Sequence, residues 1–338
     1  MKNSAQQLWF TGPHQLEIRE QQISKPAAGE LLVEVICSAI SAGTEMLVYR
    51  GQLPAEIALD ATIENLQQQG YPLQYGYASV GKVIQSGAGV DESWLGKNVF
   101  AFQPHASHFV SRIENVIIIP TDIAAEDAVF LANMETAVNL IHDGKPLLGE
   151  RVVVLGQGIV GLLLTSLLGQ LPLTDLLVAD KWPLRREHAE KFGANTFDPL
   201  IDHERIAQQT HLNAVQGADL IYELTGVPEA LNLAIDLSGF HSRIVIGSWY
   251  GVKSAPVYLG GAAHRNRLQI ITSQVSSIAP DLSGRWDKAR RFDVTWDMIR
   301  RIKPSRFISQ RSTLVQAQMI YQQLDQQPEA LIQALFVY

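Results

Sequence analysis

Three glycines, Gly156, Gly158 and Gly161, follow the apolar run 152–155 and open a second apolar run, IVGLLLTSLLGQL. A G-x-G-x-x-G pattern between a strand and a helix constrains the fold more than any other feature of the chain. Gly156 permits a tight turn, Gly158 lets main chain approach a pyrophosphate, and Gly161 lets helix pack on strand. The helix start then offers unsatisfied N–H groups and a partial positive charge to phosphates. Gln157, Ile159 and Val160 fill the intervening positions and complete the predicted turn. Asp180 closes the next strand, 24 residues after Gly156. An acid there accepts hydrogen bonds from ribose hydroxyls and repels a 2′-phosphate, so NAD(H) is expected over NADP(H). Lys181, Arg185 and Arg186 follow closely and weigh against that preference. Capping of the next helix is the alternative role for Asp180.

Around this turn the chain alternates. Residues 123–144 read as one helix, RVVVLG as a strand, DLLVAD as the next, and PLRREHAEKFG as a helix from Pro183 to Gly193. ADLIYELTG, EALNLAIDL and SRIVIGS continue the alternation, which implies a parallel, doubly wound sheet. The first third differs. Short runs at 8–10, 16–20, 31–36, 78–85, 98–102 and 116–119 are separated by glycine and proline, the pattern of a barrel-like β domain. Residues 56–70 form a polar excursion, a helix or a loop. Near the end, Trp286, Ala289, Phe292, Trp296, Ile299 and Ile302 recur at spacings of three or four, predicting an amphipathic helix over 284–303.

With 34 acidic against 27 basic residues and a net charge of −7, the chain is a poor nucleic-acid binder. Nine of its 27 Lys and Arg residues fall within 285–311. They form either a site for an anionic substrate group or a solvated face balanced by Asp287, Asp293 and Asp297. Cys37 stands alone, which excludes an internal disulfide and a cysteine-rich zinc site; its apolar surroundings predict a small core residue. The apolar run 152–171 is broken by glycines and followed by Pro172, so strand, turn and buried helix explain it better than a membrane span. The start of the sequence lacks the apolar segment of a signal peptide, and a cytoplasmic protein without membrane partners is expected.

The segments GELLVEVICSAISAGTEMLVYRG, YPLQYGYASVGKVIQSGAGV and YELTGVPEALNLAI give these elements a context. They resemble the early strands with the first active-site loop, the G-H-E-x-x-G-x-V segment, and the stretch below the nicotinamide in the medium-chain dehydrogenase/reductase superfamily. GTEMLVYRG and YGYASVG are similar to the bacteriochlorophyllide a dehydrogenase-like branch. The resemblance covers nearly the whole chain. It implies a GroES-like β-barrel catalytic domain at 1–121, completed by 276–338, and a Rossmann domain at 122–275. It also implies an NAD(P)-dependent oxidoreductase acting on a small molecule, a homodimer, and roles in cofactor binding for Lys181, Thr225 and Gly247.

The superfamily's zinc enzymes place ligands where this chain has Ala42, Tyr77 and, near the third position, Ala132. A catalytic zinc needs about three side-chain ligands, so no zinc is expected. A site rebuilt from His105, His108, Glu45 and Glu135 is the alternative. Without a metal, a hydrogen-bond donor must polarise the substrate oxygen. The resemblance sets Thr44 at the proton-relaying hydroxyl and Tyr77 in place of the lost histidine. His105 is a third candidate, able to exchange protons with bulk water, and Glu135 a group orienting one of them. Each has a structural alternative: a cap, packing, or a buried pair. Glu45, Trp249 and Tyr250 are the expected substrate-pocket residues, the aromatic pair suiting a bulky ring. Two other functions stay open, an NADPH-dependent quinone or enone reductase and a nucleotide-binding sensor or structural protein without turnover.

Overall fold

The structure, a computed structural model, describes residues 4–53, 70–201 and 217–338. Apart from Gly70, the excursion at 56–70 lies outside the described residues. The chain divides into two compact units, Met1–Ala132 with Ile299–Tyr338, and Asn133–Met298.

In the first unit, β1 (Ser4–Gly12) and β2 (Gln15–Gln22) form an antiparallel hairpin. A larger sheet runs in the order β14 (Ile308–Ser312), β15 (Gln333–Val337), β3 (Glu30–Ala39), β4 (Ser79–Ser86), β5 (Asn98–Ala101), β7 (Val116–Ile118), numbered along the chain. Strand β6 (His108–Arg112), which starts at His108, also pairs with β3. Only the β14–β15 pair in this sheet is parallel. This is the GroES-like barrel. Alternation drives it: Leu31, Val33 and Val35 of β3 are buried while Glu34 and Ile36 face outward. Cys37 is a core residue, and burial pushes its thiol up to about 12.

Helix α1 (Ala42–Tyr49) follows β3. The single helix expected over 123–144 is two, α2 (Ala125–Ala128) and α3 (Leu131–Gly144). Ala128, Val129, Phe130 and Leu131 are all fully buried, and four consecutive residues cannot share one face of a continuous helix. The break lets all four turn inward.

The second unit holds a six-stranded parallel sheet in the order β10 (Asn195–Phe197), β9 (Asp175–Ala179), β8 (Arg151–Leu155), β11 (Ala218–Glu223), β12 (Ser238–Ile246), β13 (Gln269–Thr272). The chain runs from β8 to one side and returns on the other, so the order reverses between β8 and β11. This is the Rossmann arrangement. Helix α4 (Ile159–Leu168) leads from β8 towards β9, α5 (Pro183–Glu190) precedes β10, and α6 (Ala230–Leu237) joins β11 to β12. Nine of the ten residues of α4 are buried. Its apolar circumference is a packing requirement, each buried leucine contributing about 2 kcal/mol. Among the described residues, no helix is long and apolar enough to cross a membrane.

Helix α7 (Lys288–Ile302) carries the aromatic stripe, shifted from the expected one. Trp296, Ile299 and Ile302 are buried, but Ala289 is exposed and Phe292 half-buried. Arg291 and Thr295 complete the buried face. Helix α8 (Ala317–Gln326) then packs Ile320 and Tyr321 into the first unit's core.

Candidate functional site

Two polar constellations stand out, one in each unit. In the first, the carboxylate of Glu45 is wholly enclosed. Its Oε1 accepts the Ser41 N–H at 2.7 Å, a favourable place for an acid in the first turn of α1. Its Oε2 meets His105 Nε2 at 3.0 Å and accepts the Tyr321 hydroxyl. His105 Nδ1 lies 2.7 Å from Ser38 Oγ, and Ser38 Oγ lies 3.0 Å from the Tyr338 hydroxyl. A neutral imidazole that donates Nε2–H to Glu45 leaves Nδ1 to accept from Ser38, and Ser38 then accepts from Tyr338. Every polar atom of the row is thereby satisfied.

His105 owes its place to Gly76. At φ +125°, Gly76 brings its backbone so near that a Cβ would stand 3.0 Å from the imidazole. The ring's other side meets Phe336 edge-on at 5.0 Å. His105 is fully buried, so direct exchange with bulk water is closed to it, contrary to the sequence expectation. Its two ring nitrogens face Ser38 and Glu45 instead.

Tyr77, half-buried, bonds through its hydroxyl to Ser41 Oγ. Thr44 sits in the first turn of α1, next to Glu45, with its N–H on the Ser41 carbonyl. Among the described residues its hydroxyl has no hydrogen-bond partner. Thr44, Tyr77, Glu45 and His105 therefore gather around Ser41. The sequence did not point to Ser38, Ser41, Tyr321 or Tyr338, since an isolated serine or tyrosine carries no pattern.

Zinc does not fit this constellation. Ala42 and Ala132 have no donor atom, and the Tyr77 hydroxyl is engaged by Ser41. Glu45 and His105 are spent on one another and on neighbouring groups. Among the described residues, no three His, Cys, Asp or Glu side chains are grouped to hold a metal ion. His108 of the alternative metal set lies on β6, with Nδ1 3.1 Å from Ser107 Oγ and Nε2 3.9 Å from Glu34.

In the second unit the glycine turn follows β8 and leads into α4. Gly156 has φ +93°, and a Cβ there would stand 2.7 Å from the Leu224 carbonyl. A Cβ on Gly161 would stand 2.0 Å from the Gly156 oxygen. A Cβ on Gly158, the residue capping α4, would meet nothing within 4 Å. Two glycines are thus demanded by packing, while the middle one fronts open space. Ile159, Val160 and Gly161 start α4 there, where N–H groups lack helical partners. The Gln157 side chain turns inward, accepting from Thr165 at 3.0 Å.

Asp180 Oδ2 accepts the Gln157 N–H at 2.7 Å, and Oδ1 accepts the Trp182 N–H at 2.9 Å. It therefore ties the glycine turn to the residue before α5; that helix has no side-chain cap, so the capping role considered for Asp180 is not what the structure shows. Arg185 Nη1 stands 3.8 Å from Asp180, Arg186 is engaged by the Asp180 carbonyl and Asp198, and exposed Lys181 lies over the Trp182 ring. Thr225 and Gly247 follow β11 and β12; Thr225 binds the Glu223 side chain and Gly247 N–H the Glu223 carbonyl. Trp249 is exposed, whereas the Tyr250 hydroxyl donates to Glu223 at 2.5 Å.

Glu135 belongs to the second unit. It lies on α3 with its Oε1 2.9 Å from Arg291 Nε and 2.8 Å from Nη2, Lys288 following at 3.6 Å. Arg291 also donates to Asn139 at 2.6 Å and to the Ser277 and Val275 carbonyls. Other basic residues of 285–311 find acids elsewhere: Arg300 pairs with Asp122, holding that carboxyl below the usual range, and Arg311 with Glu126. That is the pattern of a paired face.

Burial raises the phenols of Tyr222, Tyr250 and Tyr321 above their ordinary value of 10.0, with Glu223 adding to the rise for Tyr250 and Glu45 for Tyr321. Above pH 10 the unfolded chain loses these protons while the folded chain keeps them. Stability is then whole below pH 10 and falls as pH rises beyond it. An ultraviolet phenolate titration should show these tyrosines ionising only with unfolding. Reversible ionisation of all nine tyrosines in the folded protein would contradict their enclosure.

No family model matches the chain. Among curated proteins, it is 27% identical over 281 residues to 2-desacetyl-2-hydroxyethyl bacteriochlorophyllide A dehydrogenase of Cereibacter sphaeroides, covering 77% of this chain and 79% of that one. Among solved structures, it matches the alcohol dehydrogenase RspB of Escherichia coli CFT073, complexed with NADH, with a TM-score of 0.80 and 21% identity over 99% of this chain and all of the other. A dehydrogenase of Sinorhizobium meliloti 1021 bound to NADP matches with a TM-score of 0.78 and 19% identity, both chains being covered entirely.

Proposed function

We propose that this chain, of the medium-chain dehydrogenase/reductase type in sequence and fold, is a zinc-independent, NAD(H)-preferring oxidoreductase that interconverts an alcohol and its ketone or aldehyde. The observation that carries the reading is the glycine turn: two glycines required by packing, a third fronting open space, and Asp180 fastened beside it. A nicotinamide coenzyme, when bound, supplies or accepts the hydride. The chain's own residues bind it and manage one proton. Gly158 and the first N–H groups of α4 take the pyrophosphate, and Asp180 takes the adenosine ribose.

On the first unit, the unpartnered Thr44 hydroxyl and the Tyr77 hydroxyl are the groups that touch the substrate oxygen in this reading. Tyr77 gives its proton through a bond shared with Ser41. Glu45 and His105 are positioning residues: Glu45 holds the Ser41 main chain, and His105 holds Glu45. A bulky, ring-like alcohol, a cytoplasmic homodimer and a Trp249 that contacts substrate belong to the same reading. They rest on the resemblance.

The test is a titration of metal-analysed protein with NADH and NADPH, read by nicotinamide fluorescence. NADH should bind at least about tenfold more tightly, a difference of ~1.4 kcal/mol, with no stoichiometric zinc. Tighter NADPH binding would favour a second reading, the NADPH-linked quinone or enone reductase, for which Arg185 at 3.8 Å from Asp180 offers a cation near the ribose. Stoichiometric zinc, or tight NADH without hydride exchange across a screen of alcohols, ketones, quinones and enones, would sink the proposal.

A further inference from the structure

Glu223 ends β11 with its side chain fully enclosed, and the glycine turn does not account for it. Three donors converge on it. Thr225 gives its N–H to Oε1 at 2.8 Å and its hydroxyl to the same oxygen, and Tyr250 gives its hydroxyl to Oε2 at 2.5 Å. Thr225 belongs to the loop after β11, Tyr250 to the loop after β12. The two loops are joined again where Gly226 N–H reaches Ser248 Oγ at 2.9 Å and Lys253 Nζ reaches the Gly226 carbonyl at 2.8 Å. One buried carboxylate thus fastens both loops to a strand end. Packing of the sheet does not call for a charge there, since the preceding Leu220 and Ile221 are buried and apolar.

The position of this clasp is informative. Open parallel sheets take ligands outside the carboxyl ends of their strands, at the point where strand order reverses. Here that point lies between β8 and β11. The glycine turn after β8 abuts the start of the β11 loop, because a Cβ on Gly156 would stand 2.7 Å from the Leu224 carbonyl. Asp180, at the end of β9, marks one side of the reversal. A dinucleotide with its adenosine ribose at Asp180 and its pyrophosphate at Gly158 sends its remaining half over the ends of β11 and β12.

Resting on the dinucleotide reading above, we infer that Glu223 is a positioning residue for the nicotinamide half of the coenzyme. Through Thr225 and Tyr250 it holds the loops at 224–227 and 247–251 in the shape that receives this half. Tyr250 then serves the coenzyme, and its hydroxyl, committed to Glu223, is not part of a substrate wall.

The experiment compares ADP, which carries only the adenosine half, with NADH, on the full chain and its Glu223→Gln and Tyr250→Phe variants. Binding is followed by calorimetry, and NADH also by fluorescence. ADP affinity should stay within about twofold of wild type, while NADH weakens about tenfold in Glu223→Gln and about threefold in Tyr250→Phe, with Glu223→Asp intermediate. Tyr250→Phe removes one hydroxyl and keeps the ring, so the comparison stands even if Glu223→Gln fails to fold. Equal weakening of ADP and NADH, or no weakening of either, would overturn this inference alone. A wild-type chain that binds neither nucleotide would overturn the dinucleotide reading and this inference with it.

Discussion

Gly158→Ala should leave stability within about 1 kcal/mol of wild type, the loss of a glycine N-cap being offset by a stiffer unfolded chain, and reduce NADH affinity about a hundredfold, a loss of ~2.7 kcal/mol. The added methyl meets no protein atom within 4 Å, and the backbone there is extended, so the fold has no objection to it. On the proposed reading the coenzyme does, because that reading puts the pyrophosphate against main chain in this open space. Gly161→Ala supplies the contrast. Its methyl would stand 2.0 Å from the Gly156 oxygen, a backbone atom, so α4 must lift from β8 and both stability and affinity fall. Thermal unfolding and NADH titration of the two variants separate these effects. Wild-type NADH affinity in Gly158→Ala would mean that the open space is not a phosphate site.

The second large effect is expected at Arg291. Replacing it with Met removes a buried guanidinium and strands the Glu135 carboxylate, the Asn139 oxygen and two carbonyls. Losing one partner of a buried pair costs about 3–5 kcal/mol. Lys288, at 3.6 Å from Glu135 and partly exposed, is the nearest substitute and recovers only part of that. The double variant Arg291→Met with Glu135→Gln removes the stranded charge and should regain at least about half of the loss. Urea unfolding read by tryptophan fluorescence measures all three. A loss under about 1 kcal/mol in Arg291→Met would show that Glu135 is not left stranded.

The glycine turn and the parallel sheet were legible in the sequence because their signals are local. Spacing, flanking apolar runs and the strand-ending acid lie within 25 positions, from Gly156 to Asp180. The buried polar groups were not. His105 and Glu45 are 60 positions apart, and Tyr321, which bonds Glu45, and Tyr338, which bonds Ser38, come from the far end of the chain. Glu135 suggested chemistry because it is an acid near the expected ligand position, but Arg291, 156 positions on, makes it half of a buried pair. The α7 stripe holds from Trp296 to Ile302, but its first half missed Arg291 for the same reason. An arginine does not register as a buried position until its acid is known, so Ala289 was counted inward in its stead. Glu223 ends a strand that also carries the exposed Asp219, and nothing local tells the two acids apart. Pattern rules price a charge as exposed, and each of these charges is buried against at least one partner far away in sequence: His105 for Glu45, Arg291 for Glu135, Tyr250 for Glu223.

Strand β15 lies between β14 and β3 in the first unit's sheet, although some 290 residues of chain separate it from β3. A ribosome making this protein therefore releases the middle before it can finish the beginning. The second unit ends at Met298, and a further 40 residues, 299–338, must be added before the barrel closes. At about 5–20 residues per second that is a wait of roughly 2–8 s. During it, Cys37, Ser38 and Ala39 of β3 lack their β15 partners, and Glu45 lacks the Tyr321 hydroxyl. The nascent chain is then a folded nucleotide domain trailing an open-edged sheet, and its exposure to proteases and holdase chaperones should be concentrated in that interval.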